Sequence, residues 1–360
     1  MKILHIVNSL ETGGAQTLIE TLASEHSRAD VETHVVVLLG TDTLSERVEA
    51  VAASVTYLDL PVGALALPLG AVRLRRAIKA LRPDVVHSHL LQSDLLTTFA
   101  RGSVPHISTV HTSGGHESNW QSRVVTKLTA ATSRFRSRVI ACSPSAFRFS
   151  VASLGREPDD VILNAVELRS PDLSRAPGRA VITSLARWHP MKDHRNLLAA
   201  VSSLPTPKPQ LVLAGSGIDE DNAQLVELLA EYANVDVTVL GAVADVIPHI
   251  DRSICLIIAS AYGEALPMAG IESLSRGVPV VTTAVGDCDL LAIKKSYLAL
   301  PSDPVDLRRA LVAALGDFSS DATGTARLAY AKAESEFDAR RAGTRYLGHY
   351  RSMLAEQEAR

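Results

Sequence analysis

Tyr262-Gly263-Glu264-Ala265-Leu266-Pro267-Met268-Ala269-Gly270-Ile271-Glu272-Ser273-Leu274-Ser275-Arg276-Gly277-Val278-Pro279-Val280-Val281 reads as a loop, a helix and a strand in succession. Pro267 can open the helix, because the N–H it lacks is one that a first turn leaves unpaired anyway. The N–H groups after it then point out of a positive helix end, which suits an anion. Gly277 closes the helix, and Val278–Val281 is apolar and β-branched enough for a buried strand. Glu264 stands in the loop and Glu272 about two helical turns further on. The segment thus offers an anion cradle with a carboxylate on each side, the parts that hold a diphosphate and accept hydrogen bonds from sugar hydroxyls. Two solvated glutamates on an ordinary loop–helix–strand unit would look the same in isolation, so the segment is weighed with the rest of the chain.

Outward from this unit, short β-branched runs alternate with amphipathic stretches. Ile3–Val7, Val35–Leu39, Val85–His89, Ile107–Val110 and Val139–Ala141 predict the strands of a first half. Val181–Leu185, Leu211–Ala214, Val237–Leu240, Cys255–Ala259 and Val278–Thr282 predict those of a second. Helical spacing covers Gln16–Ser27, Ala71–Leu81, Asp193–Leu204, Glu220–Glu231, Pro267–Arg276 and Glu334–Glu358. Alternation of this kind implies parallel sheets covered by helices on both faces. Leu168–Gly178 is polar and rich in breakers, and is the predicted linker. The expected architecture is α/β, with domains at 1–170 and 171–339. Two doubly wound sheets bind ligands outside the carboxyl ends of their strands.

Composition narrows the function. The 360 residues are 46% hydrophobic and 21% charged, with a formal net charge of -3, so nucleic acid is not the expected main partner. Cys142, Cys255 and Cys288 are scattered, odd in number and without metal-site spacing, which fits a reducing compartment. The N-terminus turns polar too soon for a signal peptide, and no apolar run approaches the ~18–20 residues of a membrane span. A cytoplasmic protein is expected, with contact to the inner face of the plasma membrane left open. Two basic segments bear on that contact, 71–82 and 120–138. The first carries Arg73, Arg75, Arg76, Lys79 and Arg82. The second carries Arg123, Lys127, Arg134, Arg136 and Arg138, interleaved with Trp120, Val124, Leu128 and Phe135. Solvated helix faces are the plainer reading of each.

Further motifs carry chemistry. Thr12-Gly13-Gly14-Ala15-Gln16 follows the first strand, so Gly13 and Gly14 would let a ligand approach the backbone at a helix N-terminus. It is not G-x-G-x-x-G, which disfavours a dinucleotide. Arg187-Trp188-His189-Pro190-Met191-Lys192-Asp193 offers a planar fork in Arg187 and a point charge in Lys192 for phosphate, with Asp193 placed to cap the next helix. Gly215 and Gly217, and then Gly241, end two more strands. His111 ends the strand Ile107–Val110, and His116 follows five residues later. His87 and His89 share a strand face and could form a metal pair, but no third ligand stands out, so no metal is expected.

Taken together, the Glu264–Glu272 spacing, the Arg187–Lys192 block and the glycine loops resemble glycosyltransferase family 4, the glycosyl transferases group 1. The resemblance is strong over 187–285 and looser over 1–166. It implies the GT-B fold, two Rossmann-like domains facing a central cleft, with the last helix (340–360) packed back on the first. It implies a retaining glycosyltransferase that moves a hexose or N-acetylhexosamine from a nucleotide-sugar, commonly UDP-linked. The acceptor would be a glycan or a lipid-linked acceptor, in bacterial surface polysaccharide or glycolipid assembly. No cofactor is implied, since the nucleotide-sugar is a substrate. His111, Arg187, Lys192 and Glu264 take the catalytic positions. Gly13, Gly14, Gly215, Gly217, Gly241, Leu266, Pro267, Met268, Ala269 and Glu272 take the donor positions. Three departures stand out. Ala265 and Asp193 each replace a glycine, and so does Ala165 in Val161-Ile162-Leu163-Asn164-Ala165-Val166, where a left-handed turn would be costly. A hydrolysing nucleotide-sugar epimerase shares the architecture but lacks support in the Arg187–Lys192 block. A non-catalytic nucleotide-sugar-binding protein would not need both the Glu264/Glu272 and the Arg187/Lys192 sets.

Overall fold

The computed structural model describes residues 1–11, 13–41, 44–61, 67–114, 120–168 and 180–359. Thr12, Gly115, His116 and residues 169–178 of the predicted linker lie outside them, as does the expected boundary at 170/171. The chain forms two compact units, Met1–Glu167 with Asp338–Arg360, and Leu168–Phe337.

The first unit runs β1 (Lys2–Val7), α1 (Gly14–Arg28), β2 (Glu32–Val37), α2 (Ser45–Glu49), β3 (Ser54–Tyr57), α3 (Leu67–Leu81), β4 (Val85–His89), α4 (Leu91–Ala100), β5 (His106–Val110), α5 (Trp120–Ala131), β6 (Arg138–Ala141), α6 (Pro144–Leu154) and β7 (Asp160–Val161). Its seven strands are parallel, in the order β3-β2-β1-β4-β5-β6-β7. Side chains alternate across the sheet. Leu4, Ile6 and Val86 therefore pack under Leu74 and Ile78 of α3 and Leu96 of α4. Ile3, Val85 and Ile107 point the other way, against Leu18 and Leu22 of α1.

The second unit runs β8 (Val181–Leu185), α7 (His194–Ser202), β9 (Gln210–Ala214), α8 (Ala223–Glu231), β10 (Val237–Val239), α9 (Ile247–Asp251), β11 (Cys255–Ile258), α10 (Met268–Ser275), β12 (Val280–Thr283), β13 (Leu298–Ala299) and α11 (Pro304–Glu336). Its six parallel strands are ordered β10-β9-β8-β11-β12-β13. Helix α11 bends at Asp321, whose backbone is non-helical and whose Oδ1 accepts from the Gly324 N–H at 2.7 Å.

The final helix, α12 (Ala339–Glu358), belongs to the first unit. The helical spacing over Glu334–Glu358 spans a break. Phe337 is fully buried, and the Asp338 side chain caps α12 by accepting from the Arg340 N–H at 2.9 Å. Tyr346 and Tyr350 of α12 bury their rings on the Ile3 face, where Ala165 also packs. Ala165 is absent from the residues with positive φ, so the glycine it replaces is not missed. Its methyl fills the core instead.

The basic stretch 120–138 is not one surface. After α5 comes a 3-10 turn, Ser133–Phe135, and then Arg136 turns inward to 5% exposure. Its Nε donates to Asp94 Oδ1 at 2.7 Å, and Ser88 Oγ donates to the same oxygen at 3.1 Å. Burial pushes the Asp94 carboxyl above its usual range, against the pull of Arg136. Arg138 pairs with Glu356 of α12. Removing one partner of a buried pair strands the other charge in a low-dielectric interior, at about 3–5 kcal/mol. Arg136→Met is expected to lower stability by that amount in urea denaturation, and Asp94→Leu added to it to restore most of the loss. An unaltered midpoint in Arg136→Met would show that the pair holds nothing together.

Candidate functional site

Strand order decides which loops meet in the second unit. β10, β9, β8, β11 and β12 are successive neighbours, so the segments after their carboxyl ends emerge side by side. These segments hold Gly241, Gly215 with Gly217, Arg187 with Lys192, Glu264 and Gly286 respectively. Backbone bonds lace the first three: Gly215 N–H to Gly241 O at 2.8 Å, Gly241 N–H to Ile218 O at 2.8 Å, and Trp188 N–H to Ser216 O at 2.7 Å. Gly215 has φ +150°, and a Cβ there would stand 2.2 Å from the Ala186 oxygen, so no other residue fits.

After β8, Pro190–Lys192 makes a 3-10 turn that ends on Asp193 in the left-handed conformation, φ 49° and ψ 54°. Asp tolerates that conformation better than most residues. Its Oδ1 accepts from the Asn196 N–H at 3.2 Å and caps α7, while Oδ2 accepts from Ser302 Oγ at 2.9 Å. The turn aims Lys192 at the loop after β11, to which it is tied by the Ala261 N–H donating to Met191 O at 2.8 Å. Lys192 Nζ donates to Glu264 Oε1 at 2.5 Å, and Ser260 Oγ donates to the same oxygen at 2.5 Å. Glu264 is buried and Lys192 half-buried, so this is a short ion pair largely shielded from water. A Cβ on Gly286 would come within 1.9 Å of the Glu264 carbonyl oxygen, which makes Gly286 the residue that lets the β12 loop close over it.

Helix α10 follows. Pro267 is its N-cap and Met268 its first residue, one position later than the sequence predicts. At the other end the Gly277 N–H reaches Leu274 O and the Val278 N–H reaches Ser273 O, both at 2.9 Å, with Gly277 at φ 70°. That is the Schellman closure. Leu266 and Met268 bury their side chains, whereas Ala269 and Glu272 are half-buried. Arg187 is exposed, and its side chain has no protein partner among the described residues. Lys192, Glu264, Ser260 and the start of α10 thus lie together at one edge, with the Arg187 guanidinium on the same loop as Lys192. Ser260 and Gly286 carried no periodic or motif signal.

In the first unit, Gly13 is the extended N-cap of α1 and Gly14 its first residue. His111 follows β5, half-buried. Its Nε2 lies 3.1 Å from His89 Nδ1, and His89 Nε2 lies 2.9 Å from His5 Nδ1. His5 is the neighbour that the His87/His89 pair lacked in the sequence. One nitrogen from each of His5, His87 and His89 falls within 4.8 Å of the others, close enough for a metal ion. These nitrogens are largely spoken for, since His87 bonds the Tyr350 hydroxyl at 2.7 Å and Thr109 Oγ1 at 2.8 Å. Burial lowers His5, His87 and His89 well below the ordinary imidazole range and His111 to about 3.

Two family descriptions match successive parts of the chain, Glycosyltransferase Family 4 over residues 12–170 and Glycosyl transferases group 1 over 167–320. The chain belongs to glycosyltransferase family 4. It is 25% identical over 317 residues to EpsF of Bacillus subtilis (strain 168), which bears a glycosyltransferase name, covering 78% of each chain. Its fold is similar to that of sucrose-phosphate synthase from Thermosynechococcus elongatus, at TM-score 0.82 and 16% identity, over 99% of this chain and 100% of that one. It is also similar to Anabaena HepE solved with UDP-glucose, at TM-score 0.78 and 19% identity, over 100% and 99% of the two chains. The two parallel-sheet Rossmann-like domains are those of a GT-B glycosyltransferase.

The transferase buries uncharged histidines, and that has a pH signature. His26 is lowered to about 4 by burial, His111 to about 3, and His194 to about 4 by burial and the nearby Lys192 charge. Unfolding returns each to about 6.5, so between these values the unfolded chain binds more protons. Stability is therefore full above about pH 6.5 and falls as pH drops toward 4. With several such groups the slope should exceed the about 1.4 kcal/mol per pH unit of a single proton. Urea denaturation at pH 7.5, 6, 5 and 4.5 checks this, and a midpoint unchanged from 7.5 to 5 would contradict it.

Proposed function

We propose that this transferase moves a hexose or N-acetylhexosamine, with retention, from a UDP-sugar to a glycan or lipid-linked acceptor in bacterial surface polysaccharide or glycolipid assembly. The observation that carries the reading is the shielded Lys192–Glu264 pair at the start of α10. Held on Oε1 by Lys192 and Ser260, Glu264 takes hydroxyls of the donor sugar, and Glu272 takes the ribose. The N–H groups at Met268 and Ala269 meet the diphosphate, together with Arg187 and Lys192. Gly215, Gly217 and Gly241 let the nucleotide lie against the backbone. As the bond from the anomeric carbon to the phosphate breaks, charge gathers on the diphosphate, and these cations neutralise it. The acceptor oxygen bonds the anomeric carbon on the same face, and its proton passes to the leaving phosphate. His111 positions a hydroxyl or phosphate oxygen, with Gly13 and Gly14 beside substrate. No metal or cofactor enters this scheme. A UDP donor is supported by the fold likeness to HepE, whose structure holds UDP-glucose.

An anionic membrane surface completes the proposal. Every exposed large hydrophobic among the described residues of the first unit lies on α3 to α6 or the turn after α5: Leu69, Val72, Phe99, Trp120, Val124, Leu128, Phe135 and Val151. Between them stand exposed Arg75, Arg76, Lys79, Arg123, Lys127 and Arg134, and the one carboxylate on these four helices, Asp94, is buried. Each such cation near anionic lipid contributes about 1 kcal/mol. Buried Arg136 has no part in this. No helix among the described residues is long and apolar enough to cross a membrane.

Lys192→Ala and Glu264→Gln are expected to lower kcat by at least about 10²-fold while circular dichroism stays unchanged. Turnover like the wild type in either variant removes that residue from the mechanism. Product NMR with a panel of UDP-, GDP- and ADP-sugars should show one α-linked product, and an inverted product would overturn retention. Phosphatidylglycerol vesicles should retain the chain at low salt and release it as salt rises, whereas phosphatidylcholine vesicles should not. Equal retention on both would remove the electrostatic part.

A further inference from the structure

We propose that His5, His89 and His111 form one directed hydrogen-bond chain that holds His111 as its Nδ1–H tautomer, so that the ring offers substrate a donor and not a base. The proposal rests on the reading of His111 as a substrate contact.

Strand geometry assembles the chain. His5 of β1 pairs in register with His87 of β4, and His89 shares the His87 face two residues on. His89 pairs with Thr109 of β5, and His111 lies two residues beyond that. All four imidazoles therefore leave the sheet on one side, near its carboxyl edge. The contacts run His111 Nε2 to His89 Nδ1 at 3.1 Å, then His89 Nε2 to His5 Nδ1 at 2.9 Å.

A neutral imidazole has one donor nitrogen and one acceptor nitrogen. Three of them in series must all donate the same way, inward or outward, and the closed end decides which. His5 Nε2 is buried and has no hydrogen-bond partner among the described residues. Were the chain directed inward, that atom would be an orphaned N–H. Directed outward, it is an unused lone pair, and buried orphan N–H groups are the rarer of the two. So His5 Nδ1–H donates to His89, His89 Nδ1–H donates to His111 Nε2, and the proton of His111 sits on Nδ1. His87 does not branch the chain. Its ring centre is 4.1 Å from that of His89, and both its nitrogens are taken by Tyr350 and Thr109. It packs the chain sideways. Burial keeps all these rings uncharged at neutral pH, which the one-donor, one-acceptor count requires.

His5 and His89 are thus positioning residues that act through His111. The test is long-range ¹H–¹⁵N correlation of the full chain, uniformly ¹⁵N-labelled, with His111 assigned from His111→Asn. Wild type should show a bare Nε2 and a protonated Nδ1 at His111. A protonated Nε2, or a mixture of tautomers, overturns the proposal without any variant. His5→Leu removes the first donor and should let both tautomers of His111 appear, with kcat falling by about three- to tenfold. His5→Asn places an amide N–H near the lost Nδ1–H and should restore both readouts. An unshifted tautomer in His5→Leu overturns the coupling. Stoichiometric zinc should leave these resonances in place, and coordination by His5, His87 and His89 would break the chain and overturn it. Full turnover by His111→Ala sinks the substrate contact on which the proposal rests. Loss of turnover in His111→Ala with the wrong wild-type tautomer sinks only the chain.

Discussion

Parallel strands cannot be joined by a hairpin, and that constraint organises both units. Each connection must cross over the sheet through a helix, nearly always right-handed, and return to the same edge. Every carboxyl end then points one way. In the second unit this gathers Arg187, Gly215, Gly241, Glu264 and Gly286, which span about a hundred residues of chain, onto one rim. In the first it gathers the glycine turn before α1, His89 and His111. Loops at such a rim are free to carry chemistry because the strands below them carry the stability. The fully buried Ile182, Leu211, Leu213 and Val281 beneath one rim, and Ile3, Val85 and Ile107 beneath the other, have nothing polar to do.

The two units meet the cost of polar burial differently. At the rim of the second, Lys192 and Glu264 form a shielded pair with Ser260 as a further donor. Such a pair gives little net stability, because desolvation offsets most of the attraction. What it does give is orientation, since Glu264 Oε1 is fixed by two donors at 2.5 Å. Beneath the rim of the first unit the polar groups on the α12 face are uncharged imidazoles bonded to one another and to hydroxyls. Neutral rings avoid the charge penalty but must satisfy donor and acceptor counts ring by ring. The buried ion pair of Asp94 with Arg136 lies elsewhere in that unit, linking α4 to the segment before β6.

How much of this the sequence discloses depends on how local each cause is. β4 and β8 coincide end to end with the predicted strands, each opening on two β-branched residues, Val85-Val86 and Val181-Ile182. The two-residue strands β7 and β13 exist only through their neighbours and leave no period to read. Helix α4 is missed because no capping side chain or breaker marks its start: its N-cap is Leu90. Lys192 and Glu264 were legible as motif members. Ser260 was not, since a lone serine acquires meaning only when the loop folds its hydroxyl back onto Glu264. His5 joins partners 82 and 84 positions away in sequence, through strand pairing that no local pattern encodes. Arg136 misled for the same reason: a basic run looks uniform until a carboxylate 42 residues distant draws one member inside.

One backbone feature ties the imidazole chain to the rim. Leu90, directly after His89, has φ 72° and ψ 150°, close to a region that is essentially glycine's alone. A side chain held there costs of order 1–3 kcal/mol and persists only where its surroundings over-determine it. They do so here: the Leu90 oxygen accepts from the Asp94 N–H at 3.0 Å as α4 begins, and Ser93 Oγ bonds both the His89 and Leu90 oxygens. An extended strand residue followed at once by a helix has to turn sharply, and a relaxed leucine would turn more gradually and carry His89 with it. His89 itself stays in β4, paired in register with Thr109 of β5, and from there its Nδ1 lies 3.1 Å from Nε2 of His111.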